Sequence, residues 1–258
     1  MNVLLLTDFS NNACVAHKYV FNLLKNQRVN YYLVHALNFE QFNNNQPNKS
    51  FAYSENLEHN FNQLNNFTPP SSTLSRVEET GNLLDVVRTL IHQLDVQLVV
   101  MGAKGQSTQT KINLGKNTYE ISTKVKCPVL IVPENTKIKT PIKVNFPIDY
   151  NDRIHTNCIS KIQNLPNWEN MKIAIQEINT SEVDAVNQNS YEVLTDTLQL
   201  VQPTFIPTFL VDLAQLSQNS DIIFLAAKNL KICESIFNQM SQGNGIEIKP
   251  TPLLVLHA

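Results

Sequence analysis

Short apolar runs without polar alternation recur along this chain, and most are followed by a stretch of helical period. That order constrains the fold more than any other feature. Asn2–Thr7, Asn30–Leu37, Thr73–Glu78, Val96–Met101 and Cys127–Val132 read as strands. Between them, apolar residues repeat every three to four positions. Ala13, Ala16, Val20, Phe21 and Leu24 do so in one segment, with Ser10 or Asn11 as N-cap. Leu57, Phe61 and Leu64 do so within Glu55–Phe67, and Leu83, Leu84, Val87, Leu90 and Ile91 within Gly81–Leu94. A further helix is expected over Lys116–Lys124. Strands that alternate with helices pair in parallel, and runs apolar on both faces need helices on both sides of the sheet. The expected fold is α/β.

The second half repeats the order. Pro141–Ile148 ends in Asp149, as Asn2–Thr7 ends in Asp8. Met171–Glu177 is the next strand, Tyr191–Val201 a helix, Thr204–Ile206 a short strand and Thr208–Leu216 a helix. Asp221–Asn229 parallels Gln97–Gly105, and at the same offset Thr251–Leu256 parallels Cys127–Val132. Two matches at one offset indicate an internal duplication. The expected domains are residues 1–135 and 141–258, joined within the polar, proline-bounded Pro133–Thr140.

Glycine marks the candidate site. The chain has 6 glycines in 258 residues, where average usage would give about 18. Three of them, Gly102, Gly105 and Gly115, follow one strand closely. Bare backbone at Gly102 and Gly105 allows a ligand to approach the chain. Gly115 opens a helix whose first turn offers the N–H groups of Lys116, Asn117 and Thr118 to an anion. Lys104 and Lys116 add positive charge. Asp8 follows the first strand. In a sheet of order 3-2-1-4-5, strands 1 and 4 are neighbours where the order reverses, and ligands bind there. A carboxylate on one side could accept from a ribose or an adenine, with phosphates on the other. Taken alone, Asp8 is equally a turn or capping residue, and the glycines a strand-to-helix turn.

Thr7-Asp8-Phe9-Ser10, Met101-Gly102-Ala103-Lys104-Gly105, the nine-residue spacer to Gly115, and Cys127-Pro128-Val129-Leu130-Ile131-Val132 together resemble the universal stress protein family. The resemblance covers about residues 1–135 and continues more weakly over 141–258. It implies two tandem five-stranded parallel domains of the adenine nucleotide alpha hydrolase-like group, in strand order 3-2-1-4-5. It further implies ATP or another adenine nucleotide as ligand of the first domain, with Mg²⁺ accompanying it. Asp8 would contact adenine or ribose and Ala36 would line the adenine pocket. Met101 and Gly102 would lie near the ribose. Lys104, Gly105, Gly115, Lys116, Asn117 and Thr118 would surround the phosphates. Lys116 departs from the Ser or Thr of the family's nucleotide binders, and Thr118 is the nearest substitute hydroxyl. In the second copy, Ala226, Asn229 and Gln239 replace the three glycines, so that half is expected to bind no nucleotide in this manner. Gly243 and Gly245 read as a turn. The family also implies pairing of domains through the fifth strands, within the chain or between two chains.

Other classes are disfavoured. The formal charge of −2 and the lack of a Lys/Arg run argue against nucleic acid. No stretch reaches the roughly 18–20 apolar residues of a membrane span, and the N-terminus lacks the basic region of a signal peptide. A cytoplasmic location is expected. The four cysteines have neither disulfide nor zinc spacing and read as core residues. The histidines, His35 included, read as structural, with no nucleophile–His–acid pattern. No Walker or dinucleotide glycine motif is present. A regulatory or stress-related protein is expected, not a fast enzyme. The alternatives are a nucleotide-free scaffold of the same fold, and an ATP-cleaving relative, which lacks the glycine expected in its first turn.

Overall fold

The computed structural model describes residues 1–37, 47–104, 114–149, 156–166, 168–178, 204–208, 211–242 and 248–257. The chain divides into two compact units. The first comprises Met1–Gln109 and Gly115–Lys139, and the second Thr110–Leu114 and Thr140–Ala258.

In the first unit, β1 (Asn2–Leu6), β2 (Asn30–Leu37), β3 (Thr73–Thr80), β4 (Leu98–Gly102) and β5 (Val129–Val132) form a parallel sheet in the order β3-β2-β1-β4-β5. Leu4 of β1 lies opposite Tyr32 of β2 and Val99 of β4. Val3, Leu4 and Leu5 are fully buried, as are Val99 and Val100. Helices therefore cover both faces there, as the unalternating apolar runs require. β3 is the polar edge, with Arg76, Glu78 and Glu79 exposed, and charges of this kind discourage pairing with foreign strands.

Helix α1 (Asn11–Leu23) begins at Ser10, whose hydroxyl accepts from the Ala13 N–H. α2 (Pro47–Asn65) starts before the expected Glu55. Proline suits its first position, because that N–H would have no helical partner. α3 (Leu83–Gln93) is capped by Asn82, and α4 (Lys116–Lys124) follows Gly115. Gly81 precedes Asn82 with φ +145° and donates to the Leu37 carbonyl at 2.8 Å, a backbone conformation other residues rarely adopt.

The second unit has the same topology. β6 (Lys143–Ile148), β7 (Lys172–Ile178), β8 (Thr204–Thr208), β9 (Ile222–Ala226) and β10 (Leu253–Leu256) are parallel in the order β10-β9-β6-β7-β8. Phe146 and Phe224 meet edge-on in its core, their centroids 6.1 Å apart. Three helices accompany these strands among the described residues: α5 (Thr156–Gln163), α6 (Leu213–Gln218) and α7 (Leu230–Gln242). α6 begins later than the expected Thr208, because Asp212 caps it by accepting from Ala214 and Gln215. The expected helix Tyr191–Val201 and the turn at Gly243 and Gly245 lie outside the described residues.

One constant offset carries β4 onto β9 and β5 onto β10, as the sequence parallel predicts. The same offset fails between the strands. It pairs Gly115 with Gln239, yet Gly115 precedes a helix and Gln239 sits near the end of α7. Only residues 227–229 separate β9 from α7, whereas residues 103–115 separate β4 from α4. Gln239 is a packing residue there, accepting from the Leu213 N–H and donating to the Val211 carbonyl.

Among the described residues no helix is long and apolar enough to cross a membrane. Cys127, Cys158 and Cys233 are buried and Cys14 is partly so, all as free thiols. Burial raises the thiols of Cys158 and Cys233 to about 12, which keeps them protonated and unreactive at neutral pH.

Candidate functional site

The site is built where β1 and β4 end side by side, at the reversal of strand order in the first unit. On the β1 side the chain turns sharply. The Thr7 hydroxyl accepts from the Phe9 N–H at 3.0 Å and donates its proton to Asn60 Oδ1 at 3.3 Å. Asp8 Oδ1 accepts from the Ser10 N–H at 3.1 Å. The turn places Phe9 at φ +65°, unusual for a bulky residue. Its ring lies on His35, with centroids 4.4 Å apart. His35 Nδ1 is 2.8 Å from the Thr7 carbonyl. A carbonyl only accepts, so this nitrogen carries the proton. Asp8 is thus both a turn residue and part of the cavity wall.

On the β4 side, Asn12 organises the backbone. Its side chain is 2% exposed. Nδ2 donates to the Val132 carbonyl at 2.8 Å, and Oδ1 accepts from the Lys104 N–H at 3.0 Å. A Cβ on Gly102 would lie 2.7 Å from Asn12 Cγ. This buried amide therefore leaves no room for a side chain at 102, independently of any ligand. Gly115 donates to the Ala103 carbonyl at 2.8 Å and offers α4 no side-chain cap. The N–H groups of its first turn thus lack a capping side chain. The Thr118 hydroxyl, 3% exposed, donates to the Gly102 carbonyl at 3.0 Å. Its one proton is directed to that carbonyl, so the hydroxyl named from the sequence as the nearest substitute faces the protein here.

Two adjoining cavities open here. The smaller, about 440 Å³, is bounded by Asp8, Met101, Gly102, Lys104, Gly115, Lys116, Asn117 and Thr118. The larger, about 640 Å³, contains Ala36 in its wall, with His35, Asn60, Asn82 and Gln63 among its polar groups. Thr7, Asp8, Leu83 and Asn117 border both. The expected site residues thus line these two adjoining cavities, apart from Gly105, which lies outside the described residues.

The chambers differ in charge. Lys104, Lys116 and the α4 N-terminus make the smaller one positive. Among the described residues the larger has no Lys or Arg in its wall but carries carboxamides, imidazoles, Asp8 and Glu120. Anionic groups are favoured in the first, and neutral groups rich in hydrogen-bonding atoms in the second. Lys104 Nζ lies 3.2 Å from Glu134 Oε2. Beneath the site His17 is completely buried, its Nε2 donating to the Leu6 carbonyl at 3.0 Å. Desolvation lowers its pKa to about 4, against smaller opposing effects of that hydrogen bond and of Asp8.

Sequence reasoning missed Asn12, Thr7, Asn60 and Asn82 as parts of the site. Asn82 alone left a local signal, an Asn followed by an apolar helical stretch. His35, read as structural, also faces the larger cavity.

In the matching region of the second unit the two equivalent residues are buried. Asp149 is 2% exposed and Asn229 1%. Asn229 Nδ2 donates to the Asp149 carbonyl at 3.4 Å, and Cys233 Sγ, from the first turn of α7, to Ala226 at 3.4 Å.

Several solved structures share the fold over nearly the full length. A universal stress protein from Archaeoglobus fulgidus is 13% identical, with 99% of this chain and 96% of that chain covered and a TM-score of 0.72. A Pseudomonas aeruginosa protein described as a putative universal stress protein is 9% identical, with coverages of 99% and 92% and a TM-score of 0.61. The cytoplasmic domain of a prokaryotic cation chloride cotransporter is 9% identical, with coverages of 99% and 95% and a TM-score of 0.51. No curated protein sequence matches the chain. At these identities the likeness concerns the fold alone. The Universal stress protein family model matches residues 1–133, just over half of the sequence, and the chain belongs to that family.

Proposed function

We propose that the first unit binds ATP or another adenine nucleotide, and that nucleotide occupancy is the input of a regulatory, stress-related protein. The observation that carries this reading is a pair of adjoining cavities, one bordered by two lysines and a helix N-terminus, the other by amides, imidazoles and carboxylates with no Lys or Arg among its described residues. A nucleotide has the same two parts. Phosphates would rest against the first-turn N–H groups of Lys116, Asn117 and Thr118, with Lys104 and Lys116 nearby. Base and ribose would lie toward Asp8, Ala36 and the Asn60 amide. Thr7 fixes the Asn60 amide with its oxygen toward the hydroxyl, so its NH₂ is the group left to donate.

Among the described residues no group of three His, Cys, Asp or Glu side chains could hold a metal. Mg²⁺ is therefore proposed to enter with the phosphates. The second unit is proposed to bind no nucleotide in this way. Its buried Asp149 and Asn229 support that, as does the direct passage from β9 into α7. Pairing through the fifth strands, within or between chains, also remains a proposal, as does a cytoplasmic location.

Titration calorimetry with ATP, AMP and adenosine, with and without Mg²⁺, tests the reading. A Gly115→Asp variant separates binding from folding. Gly115 has φ −64° and ψ 149°, which any residue adopts, and aspartate is among the best N-caps. Its thermal midpoint should equal or exceed that of the parent. Its carboxylate would occupy the phosphate position, so ATP affinity should fall at least about tenfold, while adenosine is affected little. A parent protein that takes up no nucleotide at millimolar concentration rules the proposal out and leaves a scaffold role.

A further inference from the structure

The geometry points to Glu134 as a built-in competitor for the ligand's anionic group, which sets how tightly the site holds phosphate. This inference rests on the nucleotide reading above. Lys104 is one of two cationic side chains in the smaller chamber among the described residues, and it is already answered. Its Nζ is 3.2 Å from Glu134 Oε2, just beyond Pro133 at the end of β5.

The pair is supported from both ends by consecutive residues of α1. Asn11 Nδ2 donates to Glu134 Oε1 at 3.3 Å, which orients the carboxylate. Asn12 Oδ1 accepts from the Lys104 N–H, which fixes the backbone from which the lysine extends. Asn11 first, and then Lys104, also hold the Glu134 carboxyl below the usual carboxylate range, so it stays ionised at neutral pH. An arriving phosphate must share Lys104 with a carboxylate and approach that carboxylate's charge. Both effects oppose binding of the anion, and neither touches the base.

The test is calorimetry with ATP and adenosine on the full chain, comparing the parent with Glu134→Gln, Lys104→Met and the double variant. Gln at 134 keeps an acceptor for Asn11 while removing the charge. Glu134→Gln should bind ATP about fivefold tighter, the scale of a partly exposed ion pair, and adenosine as before. The gain should shrink when Lys104 is methionine, because the sharing of that side chain is then gone and only the direct repulsion between Glu134 and the phosphate is left to relieve. Unchanged ATP affinity in Glu134→Gln, or an equal gain without Lys104, overturns the role of Glu134 and leaves the nucleotide reading standing. Failure of both parent and Glu134→Gln to bind ATP or adenosine overturns both.

Discussion

Gly102→Ala is expected to lower the stability of the first unit by roughly 1–3 kcal/mol, the usual cost of an extra carbon forced into a filled interior. The new Cβ would sit 2.7 Å from Asn12 Cγ and 2.8 Å from its Oδ1. Asn12 has little freedom to retreat, because its two polar ends hold Val132 and Lys104. Asn12→Ala alone should also destabilise, by about 1–3 kcal/mol, through the two partners it abandons. The double variant relieves the clash, so its loss should fall short of the sum by about 1 kcal/mol or more. Urea unfolding of all four proteins measures this. Full additivity would show that residue 102 is glycine for some reason other than Asn12.

His17 should make stability depend on pH in a definite window. Its ring titrates near 6.5 in the unfolded chain and near 4 in the folded one. Between these values the unfolded chain carries the extra proton, so acid favours unfolding. The contribution is fully present above about pH 6.5, declines as pH falls and is gone below about pH 4. The total loss is about 3 kcal/mol. His17→Gln keeps a donor for the Leu6 carbonyl and removes the titration. Denaturant midpoints of both proteins at pH 7 and pH 4.5 test it. The parent should lose more stability than the variant, and equal losses would mean that His17 is not held neutral.

Much of the architecture was legible because burial writes itself into sequence. β1, β4, β5, β9 and β10 are continuous apolar runs, and runs sealed on both faces have few other folds open to them. The candidate site was legible where it depends on local order, as in Asp8 after β1 or Gly115 before α4. It was not legible where it depends on partners far along the chain. Asn12 bonds to residues 92 and 120 positions away, and nothing beside it in sequence marks it. Thr7 and Asn60 are 53 positions apart. The expected pairing of Gly115 with Gln239 failed for a different reason. A constant offset aligns strands, which the sheet holds in register, but a helix between them can start wherever a cap allows.

That freedom has a consequence for how such a site disappears. The same number of residues separates β4 from β5 as separates β9 from β10. In the first unit the helix starts only after residues 103–115. In the second the helix starts after residues 227–229, and residues 243–252 separate its end from β10. No insertion or deletion is needed to pass from one arrangement to the other. A few substitutions that move a helix start would silence a binding site while leaving chain length and strand register intact.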